Sequence, residues 1–298
     1  MGRPSSIVSG GTGYVGRFVV EGLLAAGHQV TVMGRQPPKK GYFSQPVRFL
    51  PLSLEPEEVS EAAFERTDFF IHGAFDHVPG KYRGGEGEDA EGFRRRNLDG
   101  TIALFDAAKR AGVRSIVFLS SRAVYGSRPA GEWLDETDEA HPDTLYGEVK
   151  LAAEKALQDL CGQDCRGVSL RITGVYGPAG PGKPHKWADL FADYLAGREI
   201  EPRVATEVHG QDVAAAVRLV LEGPKQEEAV LNVSDIIVDR RELLAIVKRE
   251  KDSPHPLPPA GDPSQVNAMR TGRLRALGWT SGGVRLLEDT VVSLLRGG

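Results

Sequence analysis

Short apolar runs recur near residues 5–9, 29–33, 47–50, 68–72, 115–120 and 167–171, with amphipathic stretches between several of them. Strand and helix signals in alternation predict an α/β fold, a doubly wound parallel sheet with helices on both faces. Beyond Pro178 the texture changes. Residues 178–184 read as a loop. Trp187 to Leu195 reads as an amphipathic helix with Trp187, Leu190, Phe191, Tyr194 and Leu195 on one side. Asp212 to Leu221 reads as another helix. Ser253-Pro254-His255-Pro256-Leu257-Pro258-Pro259 must be extended, because proline removes the N–H that a helix needs. A smaller C-terminal lobe is therefore expected. The nominal division is 1–175 and 176–298, with the chain threading between the two parts.

The first apolar run, Ser6-Ile7-Val8-Ser9, enters Gly10-Gly11-Thr12-Gly13-Tyr14-Val15-Gly16, and an amphipathic stretch follows. Strand, glycine turn and helix in this order make a phosphate cradle. Gly10 permits the tight turn, Gly13 a close approach of backbone to a pyrophosphate, and Gly16 close packing of helix on sheet. Tyr14 and Val15 open the helix, whose free N–H groups and partial positive charge face the anion. The second strand, Val30-Thr31-Val32-Met33, ends at Gly34-Arg35. An acid there would hydrogen-bond a ribose and repel a 2′-phosphate. Glycine with a neighbouring guanidinium predicts NADP in preference to NAD.

Tyr146 and Lys150 are four residues apart, hence on one face of a helix. An ammonium one turn away favours the phenolate and lowers the phenol pKa, which suits a general acid or base near neutrality. Upstream, Ser115 to Ser121 reads as a buried strand ending in hydroxyls, and a hydroxyl there can bond the same carbonyl oxygen as Tyr146.

With these motifs the chain resembles the extended short-chain dehydrogenase/reductase family, also called the NAD-dependent epimerase/dehydratase family. The resemblance runs over nearly the whole chain. It is carried by Asp68 to Ala74, by Asn97-Leu98-Asp99-Gly100-Thr101, and by Ser120-Ser121-Arg122-Ala123-Val124-Tyr125-Gly126. Arg171-Ile172-Thr173-Gly174-Val175-Tyr176-Gly177-Pro178, Val208 to Val213 and Leu277-Gly278-Trp279 extend it. It implies a Rossmann-type sheet with a substrate-binding lobe. It implies that Tyr146 exchanges the substrate hydroxyl proton, that Lys150 lowers its pKa and binds the nicotinamide ribose, and that Ser121 orients the carbonyl oxygen. Asn97 would hold the active-site helix and a water near Lys150. Ser53-Leu54, Gly73-Ala74 and Ile172 would complete the cofactor site. Substrate contacts are expected from His77, Arg122, Ala123, Gly174 and Trp187.

Three departures narrow the reaction. Family dehydratases carry two acids after the active-site hydroxyl, where this chain has Arg122 and Ala123. Nucleotide-sugar epimerases usually have Asn where Gly174 stands, and Arg where Ala205 stands, to grip a diphosphate. The leading expectation is thus an NAD(P)-dependent oxidoreductase interconverting C–OH and C=O on a small polar substrate, such as a sugar, sugar acid or lactone. The alternatives are a nucleotide-sugar 4-epimerase or 4-keto reductase and, from another class, a non-catalytic sensor of NADP(H).

The net charge of −4 over 298 residues argues against nucleic acid or an anionic membrane as partner. No apolar run approaches the roughly 20 residues that span a bilayer. The first strand begins within a few residues of Met1, leaving no room for a signal peptide, and a cytoplasmic location is expected. Cys161 and Cys165 lack redox or zinc spacing and read as two reduced thiols. The seven histidines are scattered, and no metal is expected. The glycine- and charge-rich segment 76–96 reads as a loop beside the cofactor or in solvent, and Arg94-Arg95-Arg96 as a solvated face at a helix start. Apolar positions on residues 101–108 and 149–160 predict a homodimer paired through two helices.

Overall fold

Consecutive residues of the buried strands point to opposite faces, and both faces are apolar. Ile7, Phe70, Ile116 and Phe118 enter one core, while Val8, Ile71, Val117 and Leu119 enter the other. A sheet built this way must be covered on both sides. The computed structural model, which describes residues 2–77, 87–162, 164–223 and 228–296, shows that arrangement. The strands are β1 (Ser5–Ser9), β2 (Gln29–Gly34), β3 (Arg48–Pro51), β4 (Phe69–His72), β5 (Ser115–Ser121), β6 (Arg166–Ile172), β7 (Gly174–Tyr176), β8 (Val204–His209), β9 (Val230–Val233) and β10 (Ile236–Asp239). The helices are α1 (Tyr14–Ala25), α2 (Ala90–Arg94), α3 (Gly100–Arg110), α4 (Leu145–Leu160), α5 (Ala188–Leu195), α6 (Gly210–Glu222), α7 (Arg240–Lys251), α8 (Gly272–Ala276) and α9 (Gly283–Arg296).

Seven parallel strands lie in the order β3-β2-β1-β4-β5-β6-β9. The chain leaves β1 in one direction for β2 and β3, then returns to its other side as β4. The crevice beyond the carboxyl ends of β1 and β4 is thus a topological switch point, where such sheets bind ligands. Residues of α1 and α6 cover one face, and those of α3 and α4 the other. A Cβ on Gly22 of α1 would stand 2.9 Å from the Cβ of Ala214 on α6, so glycine sets how closely these helices meet.

A second sheet, β10-β8-β7, sits with α5, α7 and α9 around a separate core that includes Tyr176, Trp187, Phe191, Tyr194, Leu244 and Val291. The chain past residue 175 serves both lobes, since β9 returns to the large sheet and α6 covers it. Residues 253–259 form neither helix nor strand, and the chain bends at His255.

Two local readings need correction. Residues 90–96 are not loop: α2, a π-turn at Arg95–Asp99 and α3 run on as one helical segment. Asn97 therefore lies inside that segment rather than at its start. The helix begins earlier because Asp89 caps it, accepting the N–H of Gly92 at 2.8 Å. The rest of the expected loop, 78–86, lies outside the described residues.

Candidate active site

The glycine turn follows directly from β1. Gly10 has φ +70°, and a Cβ on it would lie 2.7 Å from the backbone nitrogen of Ala74 beyond β4. Only glycine allows both the turn and that approach. A Cβ on Gly16 would overlap the carbonyl of Gly10, so the first turn of α1 also presses on the loop. The N-cap of α1 is Gly13, with no side-chain cap and no acid in the first turn. Helices α2, α4, α6 and α7 are instead capped by Asp89, Thr144, His209 and Asp239. An uncapped, acid-free helix start over a glycine turn fits a pyrophosphate.

The loop after β2 and the segment after β7 hold this turn. The Tyr42 hydroxyl and the Lys183 ammonium donate to the carbonyl of Thr12 at 2.9 and 3.1 Å, and the Tyr14 hydroxyl donates to Gly177 at 2.7 Å. Gly34 ends β2 and has room for a side chain, with the nearest atom to a Cβ, Thr12 Oγ1, at 3.7 Å. The Arg35 guanidinium is 83% exposed and 3.6 Å from Asp76. Ser53 turns its hydroxyl back to the N–H of Glu55 at 3.1 Å, and the carbonyl of Leu54 packs on Gly100. Gly73 packs on Leu119, and Ile172 ends β6 opposite Ser121.

Ser121, Tyr146 and Lys150 gather around the carboxyl end of β5. The strand carries Ser121, whose Oγ accepts the N–H of Ala123 at 3.1 Å. Thr144 caps α4, accepting the N–H of Gly147 at 3.1 Å, and so starts the helix just ahead of Tyr146. Gly147 is needed here, because a Cβ would meet the carbonyl of Ala123 at 2.6 Å. The Lys150 ammonium is buried, donates to the carbonyl of Leu119 at 2.8 Å, and lies 4.6 Å from the ring centres of both Phe75 and Phe118. Burial pulls its pKa down to about 7, against the opposing pull of Glu154. Phe75 also stands edge-on to the Tyr146 ring, with centres 5.0 Å apart.

Asn97 is 1% exposed and clips the backbone after β4. Its Oδ1 accepts the N–H of Asp76 at 2.6 Å, and its Nδ2 donates to the carbonyls of Asp76 and Phe93 at 2.8 and 3.0 Å. Its place is that of a positioning residue for Phe75 and Asp76. A buried chain runs from there to the glycine turn. Thr101 donates to the carbonyl of Asn97 at 2.7 Å, which leaves its oxygen to accept from His72 Nε2 at 2.9 Å. Ser9 then donates to His72 Nδ1 at 2.7 Å. Burial first, and Lys150 second, pull the His72 pKa down to about 3, so the ring is neutral. Sequence reasoning misses His72, Ser9, Thr101 and Phe75, for which only the resemblance of the segments around 68–74 and 97–101 gives a signal.

Of the expected substrate residues, Arg122 donates to the carbonyl of Asn267 at 3.3 Å, and Ala123 lies under Gly147. His77 stands beside Phe75, with ring centres 6.0 Å apart. Gly174 faces the ion pair of Lys186 with the buried Glu207, and a Cβ there would lie 2.7 Å from both side chains. Trp187 stacks on Tyr176, with centres 5.2 Å apart, and is 7% exposed in the second lobe's core. That burial sets it apart from the other four. The later landmarks turn out to brace each other: the Trp279 indole donates to the carbonyl of Asp212 at 2.9 Å, and Gly282 donates to its carboxylate at 3.0 Å. Arg94, Arg95 and Arg96 pair with Glu148, with Glu55 and Glu57, and with Asp76.

Such a sheet, with a glycine turn at its switch point and a Tyr–Lys pair beside it, defines a dinucleotide-binding fold. The chain belongs to the NAD dependent epimerase/dehydratase family, whose model matches residues 6–234. It is similar to UDP-glucose 4-epimerases. The one from Lacticaseibacillus casei is 34% identical over 154 residues, 50% of this chain and 45% of that protein. The one from Mus musculus is 30% identical over 237 residues, 70% of this chain and 65% of that protein. The matches thus span less than two thirds of these relatives. The structure of the Thermus thermophilus UDP-glucose 4-epimerase in complex with NAD aligns with a TM-score of 0.79 and 29% identity, covering 99% of both chains. Among the described residues no helix is long and apolar enough to cross a membrane, and no cluster of metal-ligating side chains occurs.

Proposed function

We propose that this chain is an NAD(P)-dependent nucleotide-sugar 4-epimerase. The observation that carries the reading is the convergence of Tyr146, Lys150 and Ser121 on the carboxyl end of β5, beside an uncapped glycine turn, in a chain similar to UDP-glucose 4-epimerases. This replaces the small polar substrate expected from Gly174 and Ala205. Those positions remain without the usual diphosphate grips, so the cations nearby, Arg122, Lys183, Lys186 and Arg203, are the candidates to take over.

The nicotinamide supplies a hydride acceptor and donor when bound. Gly10, Gly13 and Gly16 with Tyr14 and Val15 cradle its pyrophosphate, and Gly34-Arg35, Ser53-Leu54, Gly73-Ala74 and Ile172 line its remaining length. Tyr146 takes the proton of the substrate hydroxyl as the carbonyl forms and returns it as the alcohol reforms. Ser121 holds the same oxygen. Lys150, fixed by Leu119, bonds the ribose and sets the charge beside the phenol. Asn97 keeps Phe75 in place.

The test is interconversion of UDP-glucose and UDP-galactose, together with thermal shift by UDP at saturating cofactor. Turnover with a clear shift is the expected result. No shift with UDP or dTDP, and turnover of free sugars or lactones, would sink it. A 4-keto reductase is the second reading, favoured by Gly34 in place of an acid with Arg35 beside it. Net consumption of NADPH on a 4-keto sugar nucleotide, without epimerisation, selects it.

The chain is also proposed to form a homodimer. Ile102 and Ala103 on α3, and Leu151, Ala152 and Ala156 on α4, are only half-buried although apolar. Light scattering at micromolar concentration should give twice 32.2 kDa, and a mass of 32.2 kDa would restrict these helices to the core.

A further inference from the structure

We propose that Cys161 and Cys165 are a redox modification site, closing reversibly to a disulfide under a hydroperoxide oxidant. The chain geometry builds the pair. Cys161 ends α4 with extended backbone (φ −89°, ψ 153°) while its N–H still bonds Leu157 at 3.0 Å. The chain then turns back, with the Gly162 N–H donating to the carbonyl of Cys165 at 2.9 Å. The two sulfurs come to 3.3 Å, the S–H of Cys161 pointing at Cys165. A disulfide needs about 2.05 Å, so the sulfurs have only to draw closer from contact distance.

Two neighbours favour the step. Gly167 leaves room for the Cys161 sulfur, since a Cβ there would stand 2.9 Å from it. The Lys109 ammonium is held at the end of α4 by the carbonyl of Leu160, and its charge favours the thiolate. The larger influence is the S–H of Cys161, which holds the Cys165 thiol below the ordinary range, while the same bond and burial push the Cys161 thiol up. Cys165 is buried and Cys161 half-buried, so the pair reaches solvent through Cys161.

The chemistry balances. The ionised sulfur gives its electron pair to one peroxide oxygen, breaking the O–O bond and leaving a sulfenic acid and hydroxide, which takes up a proton to become water. The second sulfur attacks the sulfenic sulfur, forming S–S and losing its own proton, and the hydroxyl leaves as water. One peroxide is reduced to water while two thiols become one disulfide.

The experiment treats the full chain with hydrogen peroxide and follows thiol titration and intact mass. The expected result is loss of both thiols, a mass lower by two hydrogens, a cross-linked peptide spanning 161–165, and full recovery with dithiothreitol. Cys161→Ser and Cys165→Ser should each abolish the loss of two hydrogens. Thiols that persist while free cysteine in the same tube oxidises would overturn the proposal. So would oxygen addition without cross-linking, or a disulfide joining two chains.

Discussion

The Lys150 ammonium lies 5.8 Å from the centre of the Tyr146 ring, one turn away on α4, and Phe75 packs against both. The packing holds the phenol without depending on its hydroxyl. Tyr146→Phe should therefore keep fold and cofactor affinity while turnover falls about 10²–10⁴-fold, the usual worth of general acid–base help. Circular dichroism, cofactor titration and initial rates on UDP-glucose check this. Near-normal turnover would remove Tyr146 from the chemistry.

Lys150 also predicts a pH dependence of stability. Its folded pKa is about 7, whereas in the unfolded chain it regains the ordinary value of about 10.4. Between these values the unfolded chain binds a proton that the folded chain does not, so stability rises with pH. Below about 7 both states are protonated, and the penalty for the buried charge is constant. The slope is about 1.4 kcal/mol per pH unit inside the window. Urea unfolding without added cofactor should show this rise in the wild type relative to Lys150→Met. A difference that stays flat with pH would mean that Lys150 titrates as an ordinary lysine.

Glu154, one turn beyond Lys150, forms a buried bidentate pair with Arg171 of β6 and also accepts from Ser120. Glu154→Leu leaves the guanidinium buried without its counter-ion and should cost about 3–5 kcal/mol. Pairing it with Arg171→Met should restore most of that loss, because no charge is then stranded. Chemical denaturation of the two variants separates these cases, and equal losses would place the cost in packing instead.

Arg35 should set the cofactor preference. One charge-assisted contact to a 2′-phosphate contributes about 1.5–3 kcal/mol, roughly ten- to hundredfold in affinity. Calorimetry should find NADP bound more tightly than NAD, with Arg35→Ser erasing the difference. Gly34→Asp should reverse it, since a side chain has room there. Equal affinities in the wild type would leave Arg35 pointing to water.

By itself, the sequence determined the features whose physics is local. The apolar runs became β1, β2, β4, β5 and β6 because short apolar runs rich in β-branched and aromatic residues favour buried strands over helices. The glycine turn was legible because Gly13 and Gly16 answer to contacts within the turn, whereas the approach of Gly10 to Ala74 comes from the fold. The Tyr146–Lys150 spacing was legible because a helix puts i and i+4 side by side. Tertiary structure decided what depends on residues distant in the chain. Lys150 is depressed by burial under Phe75 and Phe118, which no spacing announces. Asn97 clips the backbone of Asp76, twenty-one residues away, a contact that no local pattern announces. Trp187, on an apolar stripe, joins the second lobe's core because Tyr176 is there to receive it. The two thiols meet because Gly162 bonds back to the carbonyl of Cys165, and their spacing as a motif carries no sign of it. Long-range packing chooses among partners that the local pattern leaves equivalent.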